Sequence, residues 1–122
     1  GFIDDVMNVI IRNKTKGNVV AENCLVCRSI TSKARGLMFR KKAIPMIFEF
    51  KSMQRNALHM MFVFFPIDVI FLDRNRIVIE IKENFKPFRY HSPKKKSMYV
   101  IEFSAGTVVS KNIQIGDLLD WR

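Results

Sequence analysis

Residues 58–73 read LHMMFVFFPIDVIFLD, and every position is apolar except His59, Pro66, Asp68 and Asp73. Apolar side chains on both parities describe a strand covered on both faces. Helix is disfavoured, because Val63, Ile67, Val69 and Ile70 are β-branched and Pro66 would break the ladder of a helix. Pro66 cannot donate to a sheet either, so it belongs at a bulge or bend, and the run becomes two core strands joined there. The unbroken apolar piece, residues 60–65, is far short of the roughly 18 residues a bilayer requires. Asp68 at bilayer depth would cost about 3 kcal/mol.

The rest of the chain supplies further short strands. Residues 6–12 (VMNVIIR) and 18–28 (NVVAENCLVCR) flank a polar loop in which Gly17 can take positive φ, giving a hairpin. Residues 43–51 (AIPMIFEFK) have Met46, Phe48 and Phe50 on one parity and Pro45 at the start of the strand. Residues 77–83 (IVIEIKE) alternate most regularly: Ile77, Ile79 and Ile81 are expected to face inward, Glu80 and Lys82 outward. Residues 97–103 (SMYVIEF) form another strand. Residues 107–110 and 113–115 are expected as short extended pieces, before a Gly116-Asp117 turn. Between the second and third strands the period changes: Ser29 or Thr31 can cap a short helix near residues 31–38, limited by Gly36. Residues 84–96 (NFKPFRYHSPKKK) read as a long exposed loop. The expected fold is therefore mainly β, a compact antiparallel sandwich or barrel with one short helix.

Length and charge narrow the picture. A chain of 122 residues makes one domain with room for a core, here 48% hydrophobic with eleven Phe. A formal charge of +10 attracts anionic partners, whether nucleic acid, membrane surface or a small anion, although charge constrains association and not fold. Cys24 and Cys27 are the only cysteines. They lie in a strand, where positions three apart face opposite sides, and neither a second C-x-x-C nor finger-spaced histidines accompany them. Two buried free thiols are expected, with no metal and no cofactor, and a reducing, cytoplasmic setting. No signal peptide or transmembrane segment is expected from the residues given, and oligomeric state is left open.

Four blocks carry a resemblance. They are the segment Ala34-Arg35-Gly36-Leu37-Met38-Phe39-Arg40, the run Pro66-Ile67-Asp68-Val69-Ile70-Phe71-Leu72-Asp73, residues 100–106 with Glu102 followed by Ala105-Gly106, and Gly116-Asp117. In this order the chain resembles the family known as domain of unknown function 192, over about residues 6–121. The resemblance implies a small β domain with a short helix carrying the A-R-G segment, and it implies no activity. Many members carry W-M-K-N-T before the proline; His59-Met60-Met61-Phe62-Val63 stand in its place, so chemistry resting on that Asn and Thr does not transfer.

Two classes of function follow. In the first, a non-enzymatic binding module uses a basic surface for an anionic ligand or nucleic acid. Its residues are Lys86, Arg89, Tyr90, Lys94, Lys95 and Lys96, with Lys82 beside them, interleaved with Phe85 and Phe88. Aromatic rings beside cations suit single-stranded nucleic acid or another anionic polymer. A second basic cluster comprises Lys33, Arg35, Arg40, Lys41 and Lys42. In the second class, an enzyme or small-ligand protein gathers Asp68, Arg35, Arg40 and His59 in a pocket. Asp68 must be paired or hydrogen-bonded in so apolar a stretch, and a structural staple is favoured over a catalytic base. No catalytic triad, carboxylate pair or phosphate-cradling glycine loop can be assembled.

Overall fold

The computed structural model describes residues 5–28, 44–56, 58–59, 65–87 and 89–122. Its strands are β1 (Asp5–Asn13), β2 (Asn18–Arg28), β3 (Met46–Gln54), β4 (Leu58–His59), β5 (Ile67–Leu72), β6 (Val78–Phe85), β7 (Tyr90–His91), β8 (Ser97–Ser104) and β9 (Leu119–Trp121), with one helical turn, α1 (Thr107–Ser110). Seven strands form a single sheet in the order β6-β5-β8-β3-β2-β1-β9, while β4 and β7 pair separately. The sheet curls into a half-barrel. Its two ends approach through the Ile77–Leu118 bridge and through Val78 N–H donating to Asp117 O at 2.9 Å. The described residues are thus mainly β as expected, but they form one curled sheet where two stacked sheets would make a sandwich. The pairing is also mixed: β2 and β3 run parallel from Leu25–Met46 to Cys27–Phe48.

The β1–β2 hairpin closes at Gly17, whose φ of 75° needs a residue without Cβ strain. Strand β5 lies between β6 and β8, and all six of its residues are buried, as a run apolar on both parities requires. One face of the sheet gathers Val26, Ile47, Ile70, Leu72, Ile101 and Trp121. The other gathers Cys27, Phe48, Val69, Phe71, Phe85 and Val100. Cys24 packs with the first group and Cys27 with the second, so the thiols diverge and neither is in a disulfide.

Three expectations give way to local geometry. The regular alternation of β6 fails because a register shift falls between Phe71 and Leu72. Val78 and Ile81 pack on the first face, Ile79 on the second, and Glu80, opposite Phe71, is half-buried. Residues 107–110 are not extended. Gly106 at φ 94° precedes a helical turn whose Val108 is buried, so tertiary contacts override the strand preference of two adjacent valines. Residues 84–96 are not one open loop: Phe85 closes β6 in the core at 2% exposure, and β7 pairs with β4 through Leu58–His91 and His59–Tyr90. The helix expected near residues 31–38 lies outside the described residues. Among the described residues no helix is long and apolar enough to cross a membrane.

Candidate functional site

Asp68 is 1% exposed, on the parity of Ile70 and Leu72. A second register shift, between Ile67 and Val69, leaves an extra residue in β6, and Asn84 takes it up at φ 49°. A bulge leaves a backbone N–H outside the ladder. Asp68 Oδ1 accepts that N–H from Asn84 at 2.9 Å. Its Oδ2 accepts the N–H groups of Gly106 at 3.0 Å and Val108 at 2.9 Å, which open α1 and have no partner of their own in so short a helix. One carboxylate therefore satisfies donors on both sides of β5. It is the staple the sequence called for, made with backbone N–H groups.

On the far side of that bulge lies a cleft of about 280 Å³ lined by Lys82, Asn84, Phe85, Lys86, Arg89 and Tyr90. Phe85, buried, forms the apolar part of the wall; Tyr90 is 60% exposed. Lys82, Lys86 and Arg89 bring three cations, and among the described residues that line the cleft there is no carboxylate. Asn84 connects the two features: its N–H is held by Asp68 and it is among the residues lining the cleft.

Glu80, two residues before Lys82, organises the neighbouring basic run. Its Oε1 accepts the N–H of Lys94 at 3.0 Å and of Lys95 at 3.1 Å. The backbone of that run is thus fixed while the side chains of Lys94, Lys95 and Lys96 are exposed. His91 stacks near Phe71 and Phe85, with ring centroids 5.9 and 6.2 Å apart. Its buried Nε2 lies 3.4 Å from Glu80 Oε2 without hydrogen-bond alignment.

The expected sites separate accordingly. Lys82, Lys86, Arg89 and Tyr90 come together in the cleft, with Asn84 added. Lys94, Lys95 and Lys96 lie along Glu80. Asp68 is present but its oxygens are occupied. Arg35 and Arg40, with Lys33, Lys41 and Lys42, lie outside the described residues, as does Phe88. His59 is described only by its backbone, which pairs with Tyr90.

Five buried polar residues were not singled out from the sequence as site residues: Asn13 and Ser97, each a hydrogen-bond partner, and three others. Asp117 accepts from Asn13 Nδ2 at 2.8 Å, Lys16 Nζ at 3.0 Å and Gln114 N–H at 3.0 Å. Burial pushes its carboxyl up, but these donors and the Lys16 charge outweigh it and hold the group below the usual carboxylate range. Glu102, 2% exposed, sits opposite Met46 and Val69, an acid inside a run of buried Val100, Ile101 and Phe103. That interruption was the available signal. Asn56 is the third, donating to Ser97 Oγ at 2.9 Å. Cys24 is the opposite case to Asp117: burial, then the nearby Cys27, push its thiol up to about 12. Among the described residues no cluster of three His, Cys, Asp or Glu could hold a metal ion.

Fold and site together define a small half-barrel β protein with a basic cleft on one sheet edge. The chain belongs to the DUF192 family, described as Uncharacterized ACR, which matches residues 11–121. It is 35% identical to a UPF0127 protein of Thermococcus sibiricus, over 89% of this chain and 72% of that one. It is 33% identical to a UPF0127 protein of Pyrococcus furiosus, over 89% and 95% respectively. Among solved structures, a Sinorhizobium meliloti 1021 protein provisionally assigned as a transcription regulator shares the fold at TM-score 0.78 and 22% identity, over 96% of this chain and 94% of that one. A Novosphingobium aromaticivorans protein of unknown function superposes at TM-score 0.77 and 25% identity, covering 95% and 85%. These relatives are uncharacterised proteins, and they give this chain a family and a fold without an activity.

Proposed function

We propose that the protein is a non-enzymatic, cytoplasmic binding module whose basic cleft holds an anionic ligand or nucleic acid. The observation that carries this reading is the lining of the cleft: Lys82, Lys86 and Arg89 converge with no carboxylate among them. Three like charges held together cost free energy in an empty site and are relieved by an anion. The net charge of +10 adds long-range attraction that raises association rates. The alternative, a pocket chemistry centred on Asp68, has less support, because both carboxylate oxygens already accept backbone N–H groups.

Retention on heparin and on an oligonucleotide, measured across salt concentrations, tests the reading. Each phosphate neutralised contributes about 0.7–0.9 to the slope of log affinity against log salt. The K82Q/K86Q/R89Q variant should therefore flatten that slope by about 2 to 3. No retention at low salt, or a slope unchanged in the variant, refutes it.

A further inference from the structure

We infer that the anion taken by this cleft is single-stranded nucleic acid, with one base stacked on Tyr90 and its flanking phosphates on Lys82, Lys86 and Arg89. This deepens the reading above and rests on it.

Size comes first. At about 280 Å³ the cleft lies at the lower edge of the roughly 300–1,000 Å³ found for enclosed small-molecule sites. It suits one projecting part of a larger ligand, the remainder passing over the surface. Cations continue outside it: Lys94, Lys95 and Lys96 lie on the segment whose backbone N–H groups Glu80 fixes, two residues along β6 from Lys82. A polymer of phosphates leaving the cleft meets them.

Ring chemistry comes second. Tyr90 is 60% exposed in β7 and lines the cleft beside the cations. Sulfated sugars would use the cations and leave that ring idle. A nucleobase uses both, through stacking that is tolerant of sequence. In a duplex the base faces are already stacked on one another, so an unpaired strand is required. Asn84, whose amide can both donate and accept, is among the residues lining the same cleft, while Asp68 fixes its backbone through the N–H bond at 2.9 Å. A polar group held in this way can meet a base edge. Of the three aromatics in residues 84–96, Phe85 is sealed in the core and Phe88 lies outside the described residues, so the stacking role falls to Tyr90.

The test measures affinity by fluorescence anisotropy for a labelled single-stranded oligothymidylate, an abasic strand of equal length and a blunt duplex, with heparin retention in parallel. The base-bearing strand should bind about 5- to 150-fold tighter than the abasic one, the range for one stacked base. Y90A should erase that difference, so that the base-bearing and abasic strands bind equally. Y90F should preserve it. Equal affinity for base-bearing and abasic strands, or tighter binding of duplex, overturns the inference while retention on heparin leaves the basic cleft standing. Loss of binding to every polyanion removes both. Circular dichroism of Y90A checks that the exposed substitution leaves the fold intact.

Discussion

Replacing Asp68 by Asn keeps its shape and removes its charge and one acceptor atom. In the native protein two oxygens serve three N–H groups, at 2.9, 3.0 and 2.9 Å, in a site 1% exposed. An asparagine can turn its carbonyl toward Gly106 and Val108, but its amide then confronts the N–H of Asn84, donor against donor. Turned the other way it abandons α1. Either choice strands at least one donor, part-buried at Asn84 and Gly106 and buried at Val108, costing about 1–3 kcal/mol, and weakens the remaining bonds, since bonds to a charged partner contribute about 1.5–3 kcal/mol against about 1 for neutral ones. The expected loss is about 2–4 kcal/mol. Unfolding entropy of about 2.1 cal/mol/K per residue makes each kcal/mol worth about 4 °C at this chain length, so melting falls by about 8–16 °C. D68A strands all three donors and, against the 5–15 kcal/mol stability usual for domains, brings the protein close to unfolding. Urea and thermal denaturation followed by circular dichroism give the size of the effect. Amide hydrogen exchange gives its location: Asn84, Gly106 and Val108 should lose protection before Val26 or Ile101 does. A D68N variant within 1 kcal/mol of the unsubstituted protein, or with those three amides as protected as before, refutes the staple.

Two further tests use other buried groups. The carboxyl of Asp117 is held below its usual range in the folded state. Its contribution is therefore fully present above about pH 4, the unfolded carboxylate range, and is lost as pH falls through that value toward the lower folded one. D117N should lower stability at pH 7 and flatten its decline under acid, measured as urea midpoints from neutral pH downward; an unchanged acid slope contradicts the assignment. Cys24 and Cys27 are buried on opposite faces, with the Cys24 thiol pushed up to about 12. Ellman's reagent should find both thiols only after denaturation, with equal mobility on reducing and non-reducing gels. Rapid labelling of the native protein contradicts that placement.

The elements legible in the sequence were those in which one local signal decides. Pro66 within a run apolar on both parities marked the joint between two core strands; the second is β5, which begins at Ile67, and the first falls mainly on residues 60–64, outside the described residues. Gly17 between two strands marked the hairpin. The C-x-x-C spacing in an extended segment separated the thiols. Elements that depend on distant partners were hidden. Nothing around Thr107 favours a helix; the turn exists because Asp68, nearly forty residues earlier in the chain, accepts its first N–H groups and because Val108 fills the curl of the sheet. The shifts in β6 were equally hidden, since an alternating IVIEIKE pattern fits a straight edge strand, and only its pairing with β5 shows where the extra residues lie. At the site, the cations and Tyr90 were legible as composition. Lys82 was legible with them; their convergence with Asn84 was not, because it follows from the bulge.

That bulge explains why a buried acid and an exposed basic cleft belong to one device. A flat β6 would send Lys82 and Asn84 along a regular ladder, with every N–H committed to pairing or to solvent. With the extra residue, Asn84 adopts φ 49°, a conformation that asparagine tolerates better than most residues. The freed N–H then needs an acceptor inside the protein. Asp68 supplies it and at the same time ties α1 to the other side of β5, so the cleft wall is set from the core and not by its own surface contacts. Repulsion among Lys82, Lys86 and Arg89 works to spread that wall, and an internal bond to a carboxylate is strong enough to resist it where a water-exposed bond is not. On the proposed reading, the apolar stretch around Asp68 bears on binding without touching a ligand, because its carboxylate holds the backbone of the cleft wall at Asn84.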